Sequence, residues 1–364
     1  MRPRHAIWEI TWRCNLRCTH CLVHGGPNDL HELSTDEALD LVDQLARLGV
    51  ERVTLTGGEP FFRRDWHAIA TRIRERGMDL MFSCNGHLLN DRNMAAIQAL
   101  QTAWVAVSVD GLPATHDAQR VFPEARAKLS SAAIVTGAIE RLVATDIQVA
   151  VITSVHRDNL DELPALHERL AALRIDEWMV QLAHPQGRFE TLAADKMLPV
   201  ARLPELAAFL ARASRHPILP PLVHHTIGWM SRDEPRLRGS GRAAPAPGKL
   251  VAWKGSPCGR TVIGIEPDGG VKGCPNQVGD PFLVGNVRDE PLDAIYGDRP
   301  RWHWLHPTPD QMGGPCAGCA LAAHCKGGCP CVAYETSGRL FDNPYCIRAA
   351  EQAESPTHAV EASR

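Results

Sequence analysis

The chain has 364 residues, 44% of them hydrophobic and 22% charged, with a formal net charge of −3. That length suits one domain of about 200–250 residues with a smaller companion. The charges are mixed along the chain, which leaves no basic stripe for nucleic acid and no polybasic patch for a membrane surface. No apolar run is long enough to span a bilayer, and Met1 to Glu9 holds no apolar signal region. Twelve cysteines without an export signal argue for reduced thiols or metal ligands in a cytoplasmic protein.

The first half alternates short β-rich runs with helical patterns. Strands are expected at Ile7 to Thr11, Arg52 to Thr56, Met78 to Ser83, Trp104 to Val109, Ile147 to Ser154 and Glu177 to Leu182. Ser34-Thr35-Asp36-Glu37 reads as a capping box, followed by the helical stripe Leu39, Val42, Leu45 and Leu48 and stopped by Gly49. Further helical patterns cover Met94–Leu100, Ile134–Ala144 and Leu163–Leu173. Such alternation predicts an α/β fold with a parallel sheet, open or closed into a barrel, whose chemistry sits at the carboxyl ends of the strands. The pattern weakens after residue 215. Residues 216 to 252 read as a linker or lid, rich in Arg, Pro and Gly toward their end. Residues 253 to 350 are dense in Gly, Pro and Cys and too poor in long apolar periods to fold on a core alone, so metal is expected to organise them. Residues 351 to 364 read as a frayed tail.

Ten of the 12 cysteines fall into two groups. Cys14, Cys18 and Cys21 form a tight triplet just after the first strand, and Cys258, Cys274, Cys316, Cys319, Cys325, Cys329 and Cys346 fill the last third. A 4Fe–4S cluster takes four ligands, so a three-thiol loop leaves one iron for a small chelating molecule. The bland alternative is zinc, held by the triplet or by pairs within the C-terminal set. Of the remaining two, Cys84 reads as a small buried hydrophobe and Cys331 as a free thiol beside a cluster. His224-His225 reads as a satisfied or solvated pair. Asp110 and Glu59 could act as bases, although both have ready structural roles in turns.

The spacing Cys14-x3-Cys18-x2-Cys21 resembles the signature of the radical SAM enzymes. Other residues carry the same resemblance. Thr56-Gly57-Gly58-Glu59-Pro60 resembles that family's GGEP motif, Ser83-Cys84-Asn85-Gly86 its ribose-side turn, and Ser108-Val109-Asp110-Gly111 its S-x-D-G turn. The resemblance implies a partial (β/α)6 barrel. It also implies S-adenosylmethionine bound at the open iron, with Gly57, Gly58, Glu59, Asn85, Ser108 and the backbone of His20 along it. In that family a one-electron reduction cleaves the sulfonium, and the 5′-deoxyadenosyl radical takes a hydrogen from substrate. The seven C-terminal cysteines resemble the SPASM domain, which holds two further 4Fe–4S clusters, three in all. By position, Cys316, Cys319, Cys325 and Cys346 would ligate the outer one, and Cys258, Cys274 and Cys329 the inner one. The inner set is one ligand short. An open iron, Cys331, or an oxygen or nitrogen donor could complete it. His184-Pro185-Gln186-Gly187-Arg188 resembles a turn common before this segment, with a structural role.

Most enzymes with this extension modify ribosomally made peptides, so the resemblance implies a precursor peptide and an oxidative C–C or thioether cross-link. An auxiliary cluster can accept the second electron that such a closure releases. The sulfatase-maturing subgroup carries an acidic residue directly after the second SPASM cysteine, and Pro275 stands there instead. The first strand begins at about residue 7, so any leader-binding domain is expected on a separate protein or to be absent, and flavodoxin or ferredoxin is expected as electron donor. The alternative is a small-molecule enzyme acting on a tetrapyrrole side chain or another natural-product precursor, by decarboxylation or dehydrogenation. A non-catalytic iron–sulfur carrier is a third possibility, against which the SAM-shaped motifs argue.

Overall fold

A computed structural model of the chain describes residues 2–22, 31–123, 129–238, 256–277 and 280–354. Among these, ten strands make one sheet in the order β10-β9-β8-β1-β2-β3-β4-β5-β6-β7. The strands are β1 (His5–Thr11), β2 (Arg52–Gly57), β3 (Asp79–Cys84), β4 (Trp104–Ser108), β5 (Gln148–Val155), β6 (Glu177–Leu182), β7 (Pro221–Val223), β8 (Val262–Ile265), β9 (Gly270–Lys272) and β10 (Gly285–Asn286). Strands β8 and β1 through β7 run parallel, while β9 and β10 add an antiparallel edge. The six expected strands are all present with ends shifted by at most a residue or two, and the α/β barrel-type sheet is as read from the sequence.

Helices pack between successive strands: α1 (Thr35–Leu48), α2 (Trp66–Glu75), α3 (Asp91–Ala99), α4 (Pro113–Gln119), α5 (Ser131–Leu142) and α6 (Leu163–Ala172). The α1 capping box forms in full: Ser34 Oγ accepts from Glu37 N, and the Glu37 carboxylate accepts from Ser34 N. Gly49 ends α1 at φ +83°, a left-handed conformation that glycine adopts without a Cβ penalty. Trp8, Phe82 and Trp178 point into the core with no exposed area. Each such side chain contributes roughly 1.5–3 kcal/mol through burial.

Three expectations need correction. The expected linker from 216 is ordered in its first part: β7 extends the sheet, and Leu219, Val223, Ile227 and Leu237 are buried. These apolar residues are too widely spaced to show a strand or helix period. Residues 239–255 of that expected linker lie outside the described residues. The segment after 253 does not rely on metal alone. β8 pairs directly with β1, Ile7 opposite Gly264, and Ile263, Phe282, Ile295, Trp302 and Trp304 join the main core. The expected tail is helical to Glu354, where Glu351 is buried and accepts from Ser231 Oγ at 2.6 Å; residues 355–364 lie outside the described residues.

His5, at the start of β1, contacts Thr54 Oγ1 at 2.8 Å. Burial, then the charge of Arg52, lowers its pKa to about 4. The unfolded chain therefore takes up this proton first, and the stability held by neutral His5 is lost as pH falls from about 6.5 toward 4. Between pH 7.5 and 5 that amounts to roughly 2 kcal/mol. His5→Gln should flatten the pH dependence of chemical denaturation by about this amount over that window, and an unchanged slope would refute the assignment.

Candidate active site and thiol clusters

The carboxyl ends of β1 to β6 open onto one cleft with a cavity volume of about 210 Å³, somewhat below the usual range of small-molecule sites, roughly 300–1,000 Å³. Cys14, Cys18, Cys21 and His20 line it after β1, Gly57 and Gly58 after β2, and Asn85 after β3. Ser108 closes β4, while Gln181 and His184 enter from β6 and its loop. Pro275 and Asn276, beside Cys274, form part of the wall. The cleft therefore lies between the N-terminal triplet and the C-terminal cysteines.

The triplet loop is held by backbone contacts from three directions. Arg17 N and Thr19 N donate to Val121 O and Gln119 O at 2.7 and 2.9 Å. Arg188 N donates to Cys21 O at 2.9 Å, and its Nη1 to Cys18 O at 3.0 Å. Gly58 N donates to Thr11 O at 2.7 Å, and Glu59 N to Arg13 O at 2.9 Å. A Cβ on Gly57, which sits at φ +136°, would lie 2.0 Å from Thr11 O; one on Gly58 would lie 2.5 Å from the Trp12 and Arg13 carbonyls. Glycine is expected here for close approach to a cofactor. In this fold the backbone it approaches is the strand that carries the cysteine loop. The turn at His184–Arg188 clasps the other side: Gly187, at φ +59°, has no room for a Cβ against Cys21 O and Leu22 O.

Cys14, Cys18 and Cys21 pack around Leu16 and Phe122. Burial, then the Glu59 carboxylate, pushes Cys14 up to about 12. Burial likewise raises Cys18 to about 11, partly offset by Arg120. Bare thiolates are thus disfavoured here, so the donor set suits a cationic centre that takes the place of the thiol protons.

Arg120 carries no sequence signal. It ends α4, half-buried, with Nε on Asp110 Oδ2 at 2.6 Å, Nη2 near His20 Nε2 at 3.4 Å and Nη1 4.0 Å from Cys18 Sγ. His20 Nε2 lies 3.1 Å from the same Asp110 oxygen. Burial opposes ionisation of Asp110, but Arg120 and His20 outweigh it and hold the carboxyl well below its usual range. Asp110 also accepts from Ser154 N at 2.9 Å, and its carbonyl accepts from Asn159 Nδ2 at 2.7 Å. It is a hub joining β4, β5 and the cysteine loop. Arg120→Met should strand this carboxylate and cost about 3–5 kcal/mol. Adding Asp110→Asn should recover much of that loss, and a strictly additive double variant would argue against the coupling.

Glu59 is fully buried and does not line the cleft. Its Oε2 accepts from Asn85 N at 2.8 Å, while Oε1 has no protein partner. Burial, partly offset by the N–H groups of Asn85 and Phe61, raises its pKa to about 7. Asn85 in turn donates to Asn15 Oδ1 at 2.9 Å and reaches Cys14 Sγ at 3.7 Å. Ser108 Oγ lies 3.5 Å from Cys84 O, and Cys84 is a buried thiol on the cleft wall.

The C-terminal cysteines form two groups, and none of the 12 cysteines forms a disulfide. The thiols of Cys346 and Cys319 act on Cys316; burial first, then Cys346, Cys316 and Cys319, raises Cys325 to about 12. Cys258, Cys274, Cys329 and Cys331 pack together with Val332. Among the described residues no group of His, Cys, Asp and Glu side chains is arranged to hold a single metal ion. Two features of the inner group are absent from the sequence reading. Of the two readings of the pair, His225 follows the satisfied one: its Nε2 lies 3.9 Å from Cys258 Sγ and its ring lies tilted against His224 with centroids 3.9 Å apart. His184, on the cleft wall, pairs with the buried Glu335 carboxylate. Burial works against its charge, while Glu335, then Cys329 and Cys274, raise its pKa.

Comparison with known proteins fits this geometry. Residues 8–170 match the Radical SAM superfamily model, and residues 257–320 match an iron-sulfur cluster-binding domain, SPASM. Over 94% of its length the chain is 30% identical to mycofactocin maturase MftC of Mycolicibacterium smegmatis, covering 81% of that protein. It is 28% identical to the AdoMet-dependent heme synthase of Methanosarcina barkeri, over 95% of the chain and 96% of the relative. Streptococcus suis SuiB, solved with S-adenosylmethionine, superposes with a TM-score of 0.70 at 14% identity, covering 95% of this chain and 77% of SuiB, which shows a shared fold. No helix among the described residues is long and apolar enough to cross a membrane. The chain belongs to the radical SAM superfamily, as an enzyme of S-adenosylmethionine and 4Fe–4S clusters that carries a SPASM domain.

Proposed function

We propose that this enzyme modifies a ribosomally made precursor peptide by a net two-electron oxidation that closes a C–C or thioether cross-link. The observation that carries the reading is the cleft itself: one open space with the N-terminal thiol triplet on one wall and the flank of Cys274 on another. Similarity to a maturase over nearly the whole chain supports it. The 4Fe–4S cluster and S-adenosylmethionine supply the radical that removes a substrate hydrogen. Cys14, Cys18 and Cys21 are the residues we assign to that cluster. Cys316, Cys319, Cys325 and Cys346 are assigned to the outer auxiliary cluster, and Cys258, Cys274 and Cys329 to the inner one, three clusters in all.

Gly57, Gly58, Asn85, Ser108 and His20 offer the wall along which S-adenosylmethionine would lie. Glu59 supports it from behind by fixing Asn85. Leu16 and Phe122 keep water from the triplet. Closing a bond after one substrate hydrogen is removed leaves one electron and one proton to remove, and Cys258, Cys274 and Cys329 would hold a centre beside the cleft able to accept that electron. A flavodoxin or ferredoxin would supply the reducing electron, and a separate protein would present the peptide leader.

With reconstituted enzyme under anaerobic conditions, a candidate precursor peptide, sought among short reading frames beside the gene, should stimulate 5′-deoxyadenosine formation and lose about two mass units. The heme-synthase relative supports a second reading, a tetrapyrrole substrate. Stimulation by an iron porphyrin but not by the peptide would replace the first reading with this one.

A further inference from the structure

Cys331 lies outside the seven-cysteine pattern, two residues past Cys329. Cys329 is the N-cap of the helix Pro330–Ser337, Pro330 takes its first position and Cys331 its second. Cys331 is completely buried, and its Sγ lies 4.0 Å from Cys274 Sγ. Cys258 and Cys329 belong to the same buried cluster. The four thiols thus form a closed group, with Val332 packed behind and Tyr345 at its edge. None forms a disulfide.

We infer that Cys331 is the fourth thiolate of the inner auxiliary cluster, completing the set of Cys258, Cys274 and Cys329. The inference rests on the auxiliary-cluster reading above. Four buried thiols in one cluster supply the number and kind of donors that an all-cysteine 4Fe–4S site takes, and Cys331 would give up its proton to solvent as its sulfur binds iron. The competing donor is His225, whose Nε2 reaches Cys258 at 3.9 Å and which also contacts Cys329. Its ring touches the edge of the group and leans on His224, whereas Cys331 lies between two of the three assigned ligands. His225 is placed to donate a hydrogen bond to a ligand sulfur, which tunes a cluster without binding iron. Complete thiolate ligation leaves no exchangeable iron at this centre. The inner cluster then acts on electrons and not as a docking point for substrate.

The test is electron paramagnetic resonance and iron analysis of anaerobically purified holoenzyme and its variants. The wild type should carry about 12 irons per chain. Cys331→Ala should lose about one iron and show a three-iron signal on mild oxidation, while the SAM-responsive signal of the N-terminal cluster persists. Cys331→Ser, close in size, should keep the fold and shift the inner-cluster signal. His225→Gln should keep the full iron count and show no three-iron signal. Wild-type spectra in both Cys331 variants would overturn the inference, as would a three-iron signal in His225→Gln alone. A wild type holding only about four irons would instead sink the auxiliary-cluster reading, so the two failures are distinguishable.

Discussion

Replacing Cys14, Cys18 and Cys21 together with alanine should lower 5′-deoxyadenosine formation by at least ~10³-fold, to the background of reductant and S-adenosylmethionine alone. The triplet sits at the carboxyl end of the barrel, with the Cys14 and Cys18 thiols raised by burial, and no other cysteine group shares its part of the cleft among the described residues. The loss should be confined to that site. The C-terminal thiols are carried on different elements, anchored through β8 on β1 and by the core around Trp302, so about two thirds of the iron should remain. Anaerobic turnover with liquid chromatography and iron analysis of the same sample measures both quantities. Retained deoxyadenosine formation would show that the triplet does not hold the reacting cluster.

Gly57→Ala should be nearly as damaging, though it alters no ligand. The added methyl would lie 2.0 Å from Thr11 O, and the residue sits at φ +136°. Backbone bounds the site on that side and has no rotamer into which to yield. Overpacking and the strained φ each cost about 1–3 kcal/mol, so a combined loss of roughly 2–6 kcal/mol is expected. Relief requires the Thr11–Arg13 segment to move, which carries Cys14 with it. Thermal unfolding should shift down and the SAM-responsive cluster signal should diminish in parallel. Gly77→Ala is the matched control: its φ is +74°, but nothing lies within 4 Å of its Cβ position, so it should cost about 1 kcal/mol and leave the cluster signal intact. Equal effects from the two substitutions would show that the close approach at Gly57 is unimportant.

Much of this is legible in the residues alone. Six strands and the rule that chemistry follows strand ends come from alternating periods. The Ser34–Glu37 box and Gly49 mark α1 at both ends. The elements that escape are short or lack a period. β7 is three residues long, and β8 is a four-residue strand among glycines and cysteines whose partner β1 lies more than 250 positions earlier. That long-range pairing is why the C-terminal segment has a shared core despite its composition. At the site, the cysteine spacings carry the chemistry, since ligands from one loop must be close in sequence. Arg120, Glu335 and His225 escape because each meets its partner only through the fold: Arg120 meets Cys18 across 102 positions, and His184 meets Glu335 across 151. Cys331 is visible as a residue, but only its approach to Cys274, 57 positions away, separates a ligand from a bystander.

The measurement that tests the central claim most directly follows one hydrogen. Reduced holoenzyme is given S-adenosylmethionine and the candidate precursor peptide made with deuterium at its carbon-bound positions, and both products are weighed. The account predicts deuterium in 5′-deoxyadenosine together with a peptide lighter by the hydrogens lost in closing one bond. Unlabelled 5′-deoxyadenosine beside an unchanged peptide would contradict it.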